Sequence, residues 1–75
     1  MYESVVVACR PYLGEQSDAF LSRQCVFHLQ MAPKNVGRDD ISELARWAEI
    51  SAALLIGRDK AKEMRRDIEA LLRRR

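Results

Sequence analysis

The chain reads as an all-α domain, a small orthogonal or antiparallel bundle of about four helices. Three observations predict this. Apolar residues recur at helical spacing through most of the sequence. Turn residues interrupt that pattern at Gly14, at the run PKNVGR (33–38) and at Gly57. Acidic or hydroxyl residues follow each interruption, at Ser17-Asp18, Asp39-Asp40 and Asp59, where the positive end of a helix favours them.

The first helix spans Glu3 to Leu13, with Glu3 at its positive end and Ser4 near the cap. The β-branched run Val5-Val6-Val7 weakens it, since VVVAC also suits a short strand. Pro11 removes a ladder hydrogen bond and disfavours helical backbone at Arg10. The helix either kinks there or splits in two, and Gly14 closes it.

The second helix runs from Ser17, read as its N-cap, to Met31. At about 100° per residue, Phe20, Phe27 and Met31 fall on one side, and Leu21, Cys25 and Leu29 widen the arc. Ser22, Arg23 and Gln30 lie opposite, as in a surface-docked helix. Gln24 and His28 interrupt the apolar arc and form a candidate polar interface pair. At an interface, His28 would make association pH-dependent. Ala32-Pro33 ends the helix, and Val36 tucks into the core from the loop.

The third helix, Asp39 to Gly57, is capped by Asp39 or Asp40, with Glu43 in its first turn. Ile41, Leu44, Ala45, Ala48, Ala52 and Leu55 share one face. Trp47, Ile50 and Leu54 make a second. A helix apolar on two faces is central to a bundle or covered by another subunit. The last helix, Arg58 to Arg75, carries an inward stripe of Ala61, Met64, Ile68, Leu71 and Leu72.

Seventy-five residues make a single helical domain, residues 1–75. A chain this short buries only about 60% of its unfolded surface, so a partner is the natural supplement to its core. Apolar residues make up 48% and charged residues 32%, the balance of a folded, water-soluble chain. A net charge of +2 is small for a dedicated nucleic-acid binder. Cys9 and Cys25 are too few for a disulfide framework and read as reduced core residues. No stretch reaches the roughly 18 apolar residues that span a bilayer. The start, MYESVVVACR, lacks a secretion signal's pattern. These features place the chain in the cytoplasm, away from membranes.

Several constellations bear on chemistry. Leu44, Ala45, Ala48, Ile50 and Ser51 match a helix-turn-helix pattern. Glu49 stands where that motif needs a glycine-like turn. The would-be recognition helix, Ala52 to Ile56, lacks side chains that read base edges. The uninterrupted helix is therefore the first reading, and DNA binding or a transcriptional accessory role the alternative. Its phosphate contacts would be Arg58, Arg65, Arg66, Arg73, Arg74 and Arg75. Interleaved Asp59, Glu63, Asp67 and Glu69 cancel much of that field. Cys25 and His28 stand at C-x-x-H spacing, but the usual fourth zinc ligand is missing. No base–nucleophile arrangement and no GxxxxGK or GxGxxG loop occurs. No metal, cofactor or catalytic residue is expected.

Tyr12-Leu13-Gly14, Phe20 to Cys25 (FLSRQC), Leu44-Ala45-Arg46-Trp47 and the closing amphipathic helix together resemble the small helical domains appended to bacterial signalling proteins, such as receiver-type regulators and kinases. The resemblance implies a non-catalytic interaction or assembly module. With the two-faced third helix, it leads to a non-enzymatic, self-associating protein whose partner is a protein, first of all a second copy.

Overall fold

A computed structural model describes residues 1–73. All of its regular structure is helical, and no strand occurs among the described residues. Helix α1 spans Tyr2–Leu13. A 3-10 turn, Gly14–Gln16, leads into α2, Ser17–Gln24, which continues as a π-helical turn, Cys25–Leu29. Short 3-10 turns at Pro33–Asn35 and Arg38–Asp40 precede α3, Ile41–Ile56. Helix α4, Arg58–Ala70, follows Gly57 directly and tightens into a 3-10 turn at Leu71–Arg73. As rigid bodies these are three helices: α1, α2 and one long bent helix whose arms are α3 and α4. The radius of gyration, 10.9 Å, is close to the roughly 11 Å of a compact chain this long.

The VVVAC run is helical, and α1 passes through Pro11 without splitting. Proline withholds the amide that would have bonded to the Val7 carbonyl. Val7 is exposed, so water can take that place. Helix formation starts at Tyr2, so Ser4 lies within the helix and not at its cap. Val5, Val6 and Cys9 face the core.

Ser17 is not the acceptor-type cap its position suggests. It is the first residue of α2, and its hydroxyl donates to the Gly14 carbonyl at 2.7 Å. Gly14 itself adopts φ 62, a region that favours glycine. Helix α2 folds back on α1, where the Tyr2 hydroxyl donates to Asp18 Oδ1 at 2.7 Å and lies 3.0 Å from Ser22 Oγ. The π turn changes the register of everything after Gln24. An extra residue per turn rotates Phe27 away from Phe20, so Phe27, expected on the inner arc, is 70% exposed. Gln30, in the left-handed conformation at φ 55, ends the segment.

Asp40 supports the entry to α3 by accepting the Gly37 amide at 2.9 Å. Val36 is buried, as the loop's one apolar residue suggests. The bend at Gly57 is sharp. Glu49 and Arg65 lie eight residues to either side of it. Along a straight helix they would be about 24 Å apart, yet Arg65 Nη1 is 2.8 Å from Glu49 Oε1. The chain therefore turns back on itself at Gly57, whose φ 88 and ψ 161 are open essentially to glycine alone.

The core draws on every helix. Val5 and Cys9 come from α1, Leu21 from α2, and Cys25 from the π turn. Ile41, Leu44, Ala45, Ala48 and Ala52 come from α3, and Ala61, Met64 and Ile68 from α4. Leu71 closes it, so the predicted α4 stripe is the buried one, with Leu72 half-buried at its end. Leu55 departs from expectation at 69% exposure. It sits two residues before the bend.

Candidate functional site

The second face of α3 is the feature the core leaves unused. Trp47 is half-buried, while Ile50 is 51% and Leu54 89% exposed. Beside them, the seam between α2 and α3 is fixed by two contacts. Ser51 Oγ donates to Gln24 Oε1 at 3.0 Å. The His28 ring stacks on Trp47, with centroids 4.0 Å apart and planes 6° from parallel. Four residues forward along α2 correspond to four residues back along α3, so the two run antiparallel along this seam. Arg46 adds its guanidinium 5.7 Å from the Trp47 ring centre, within cation–π reach.

These contacts change the reading of the polar pair. Gln24 is buried, and its side-chain oxygen is satisfied within the chain by Ser51, so it is a seam residue and not a group held out to a partner. His28 is exposed and covers one side of Trp47. It lies at the edge of the candidate face, next to the exposed Phe27. Cys25, three residues away, is fully buried, and no cluster of three or more potential metal ligands occurs among the described residues.

The basic residues do not form one surface. Arg65 donates from Nη1 to Glu49 at 2.8 Å and from Nε to Glu69 at 3.4 Å. The hydrogen bond to Glu49, more than any other contact, holds its pKa above the ordinary arginine value. It ties the two arms of the bent helix together and is not free to hold a phosphate. Arg58, Arg66 and Arg73 are exposed. Arg74 and Arg75 lie outside the described residues. The helix-turn-helix weighed for Leu44 to Leu55 is not formed, because α3 runs unbroken through Glu49. Glutamate is a good helix former and a poor turn residue, which is the physical reason.

The nucleophiles are buried in the fold. Cys9 and Cys25 are unpaired and fully buried. Burial pushes the Cys9 thiol up to about 12 and raises that of Cys25. Tyr2 is also raised to about 12, chiefly by burial, with Asp18 adding to the shift and Ser22 opposing it. Tyr12 reaches about 12 mainly through its hydrogen bond to Asp67, a contact that joins α1 to α4. None of these groups is set up as a base or an attacking anion near neutral pH.

Sequence reasoning missed the Glu49–Arg65 bridge and the Gln24–Ser51 bond. The first had a signal, since a glycine midway between an acid and a base is where a fold-back brings them together. The second had none, because it depends on which helix lies beside α2. Comparison of the chain with protein-family models, with curated proteins and with solved structures finds no match. No described helix is long and apolar enough to cross a membrane.

Proposed function

We propose that this chain, a small bundle of about four helices when the two arms of the bent helix are counted separately, is a non-enzymatic interaction and assembly module that self-associates through Trp47, Ile50 and Leu54. One observation carries the reading. The outer face of α3 holds Ile50 and Leu54 in water beside the half-buried Trp47, although none of the three belongs to the buried core. Exposed apolar patches of this kind mark interaction surfaces. The non-enzymatic part rests on the disposition of reactive groups: the one histidine is stacked on an indole, and both thiols are buried in their poorly reactive form. The two unpaired cysteines support a reducing, cytoplasmic setting. The resemblance to helical domains appended to bacterial signalling proteins points the same way, towards a protein partner.

Sedimentation equilibrium tests the reading. The wild type is expected to associate reversibly at tens to hundreds of micromolar, in keeping with a small interface. Leu54→Lys is expected to weaken association at least about tenfold, because it places a charge in the apolar contact, with an unchanged far-ultraviolet circular dichroism spectrum. A wild type that stays monomeric at high micromolar concentration would overturn the proposal.

A further inference from the structure

We infer that Gly57 is a hinge at which α4 leaves its own α3 and packs against the α3 of a second copy, giving a dimer that exchanges α4 between chains. This goes beyond the surface association proposed above. It uses the inner side of α3 and not Trp47, Ile50 or Leu54.

The connection between α3 and α4 is a single residue. Helical hydrogen bonding reaches it from both sides. The Gly57 amide donates to the Ala53 carbonyl at 3.1 Å, and the Ala61 amide donates to the Gly57 carbonyl at 3.0 Å. Both bonds have the four-residue spacing of one continuous α-helix. The rungs interrupted between them run from the amides of Arg58, Asp59 and Lys60 to the carbonyls of Leu54, Leu55 and Ile56. Gly57 interrupts them by adopting φ 88 and ψ 161. Rotating that one residue into the helical region restores them. The bend is also open to solvent: Leu54, Leu55 and residues 57–60 are exposed. A Cβ built on Gly57 meets no atom within 4 Å. The two earlier connections are pinned instead. The Ser17 hydroxyl holds the Gly14 carbonyl, and Val36 is buried from the loop before α3. Short connections under backbone strain are where exchanged dimers arise.

What α4 gives up on leaving, a second copy returns. Arg65 bonds to Glu49, Tyr12 donates to Asp67, and Met64 and Ile68 enter the core. The partners of these residues lie outside α4, and a second copy presents the same ones. In an uninterrupted helix, Ala61, Met64 and Ile68 fall about 170° from the buried face of α3. The two rebuilt cores then stand on opposite sides of each long helix, so the long helices cross at the two-fold axis. That axis falls at Gly57, which has no side chain to hold them apart. Each chain gains the interrupted rungs and a relaxed glycine. Joining two chains costs translational and rotational freedom, so the exchanged form is favoured by high concentration.

Gly57→Ala in the full chain tests the hinge. Alanine is disfavoured in the folded-back conformation and preferred to glycine within a helix. The variant is expected to raise the dimer association constant at least about tenfold, read by sedimentation velocity, with helical circular dichroism retained. A second readout does not depend on how that variant folds. Glu49→Cys chains and Arg65→Cys chains are unfolded in urea, refolded together and treated with a short bifunctional maleimide. They are expected to yield a linked pair, because exchange sets position 49 of one chain beside position 65 of the other. The native thiols are buried and do not compete. Adding Leu54→Lys to both chains, which disrupts the outer face, is expected to leave the linking intact. A Gly57→Ala protein that stays monomeric at several hundred micromolar overturns the exchange, as does a mixture that yields no linked pair. Either result leaves the outer-face proposal standing. Linking that Leu54→Lys abolishes also overturns the exchange, since the contact then belongs to the outer face.

Discussion

The two sides of α3 invert the usual order of size. Its inner side is largely alanine: Ala45, Ala48 and Ala52 are fully buried, alongside Ile41 and Leu44. Its outer side carries the larger Trp47, Ile50 and Leu54, of which Trp47 is half-buried and the two aliphatic residues are exposed. The difference shows that burial here is decided by close approach and not by hydrophobic content. Small residues let the α4 arm fold back against α3, and Met64 and Ile68 of α4 then supply the bulk of the shared core. Ile50 and Leu54 lie outside that core.

Substitutions on the two sides put this contrast to the test. The largest effect is expected at Leu44→Ala, on the inner side. Leu44 is fully buried, and truncation there is expected to cost about 2–5 kcal/mol through lost transfer energy and a cavity. Urea unfolding followed by Trp47 fluorescence would measure it, and a cost below about 1 kcal/mol would mean that the inner side is loosely packed. Gly57→Ala comes next. A methyl group there touches nothing, so the whole cost, about 1–3 kcal/mol, comes from backbone conformation. A neutral result would show that the fold-back does not depend on this φ. The smallest effect is expected at Leu54→Ser in dilute solution, within about 0.5 kcal/mol, as for an exposed position outside any special contact. Should that variant lose stability as Leu44→Ala does, the outer face would belong to the monomer's core and the contrast would fail.

Much of the fold was legible from residues whose effects are local. The breaks at Gly14 and Gly57, the inward stripe of α4, the burial of Val36 and the two apolar faces of α3 follow from backbone preference and helical period. Those rules act over a turn or two of chain. The candidate face was legible for the same reason, as a second stripe on one helix. Roles that needed a neighbour were less so. Gln24 and His28 stood out as polar residues in an apolar arc, but only the α2–α3 seam assigns one to a hydrogen bond with Ser51 and the other to a stack on Trp47. Arg65 looked like a free base until the bend brought Glu49 to it.

Residue order alone pointed to a helical chain, to breaks at Gly14 and Gly57 and to the apolar stripes, but left open whether Pro11 splits the first helix. Tertiary structure alone decided which stripe is covered. It buried Ala52 and left Leu55 exposed on the same predicted face, and the π turn moved Phe27 outward. The physical reason is range. Helical period and backbone preference are properties of adjacent residues, whereas coverage depends on where a distant segment comes to rest. In this chain that position follows from a one-residue bend and from a row of alanines small enough to admit the returning arm.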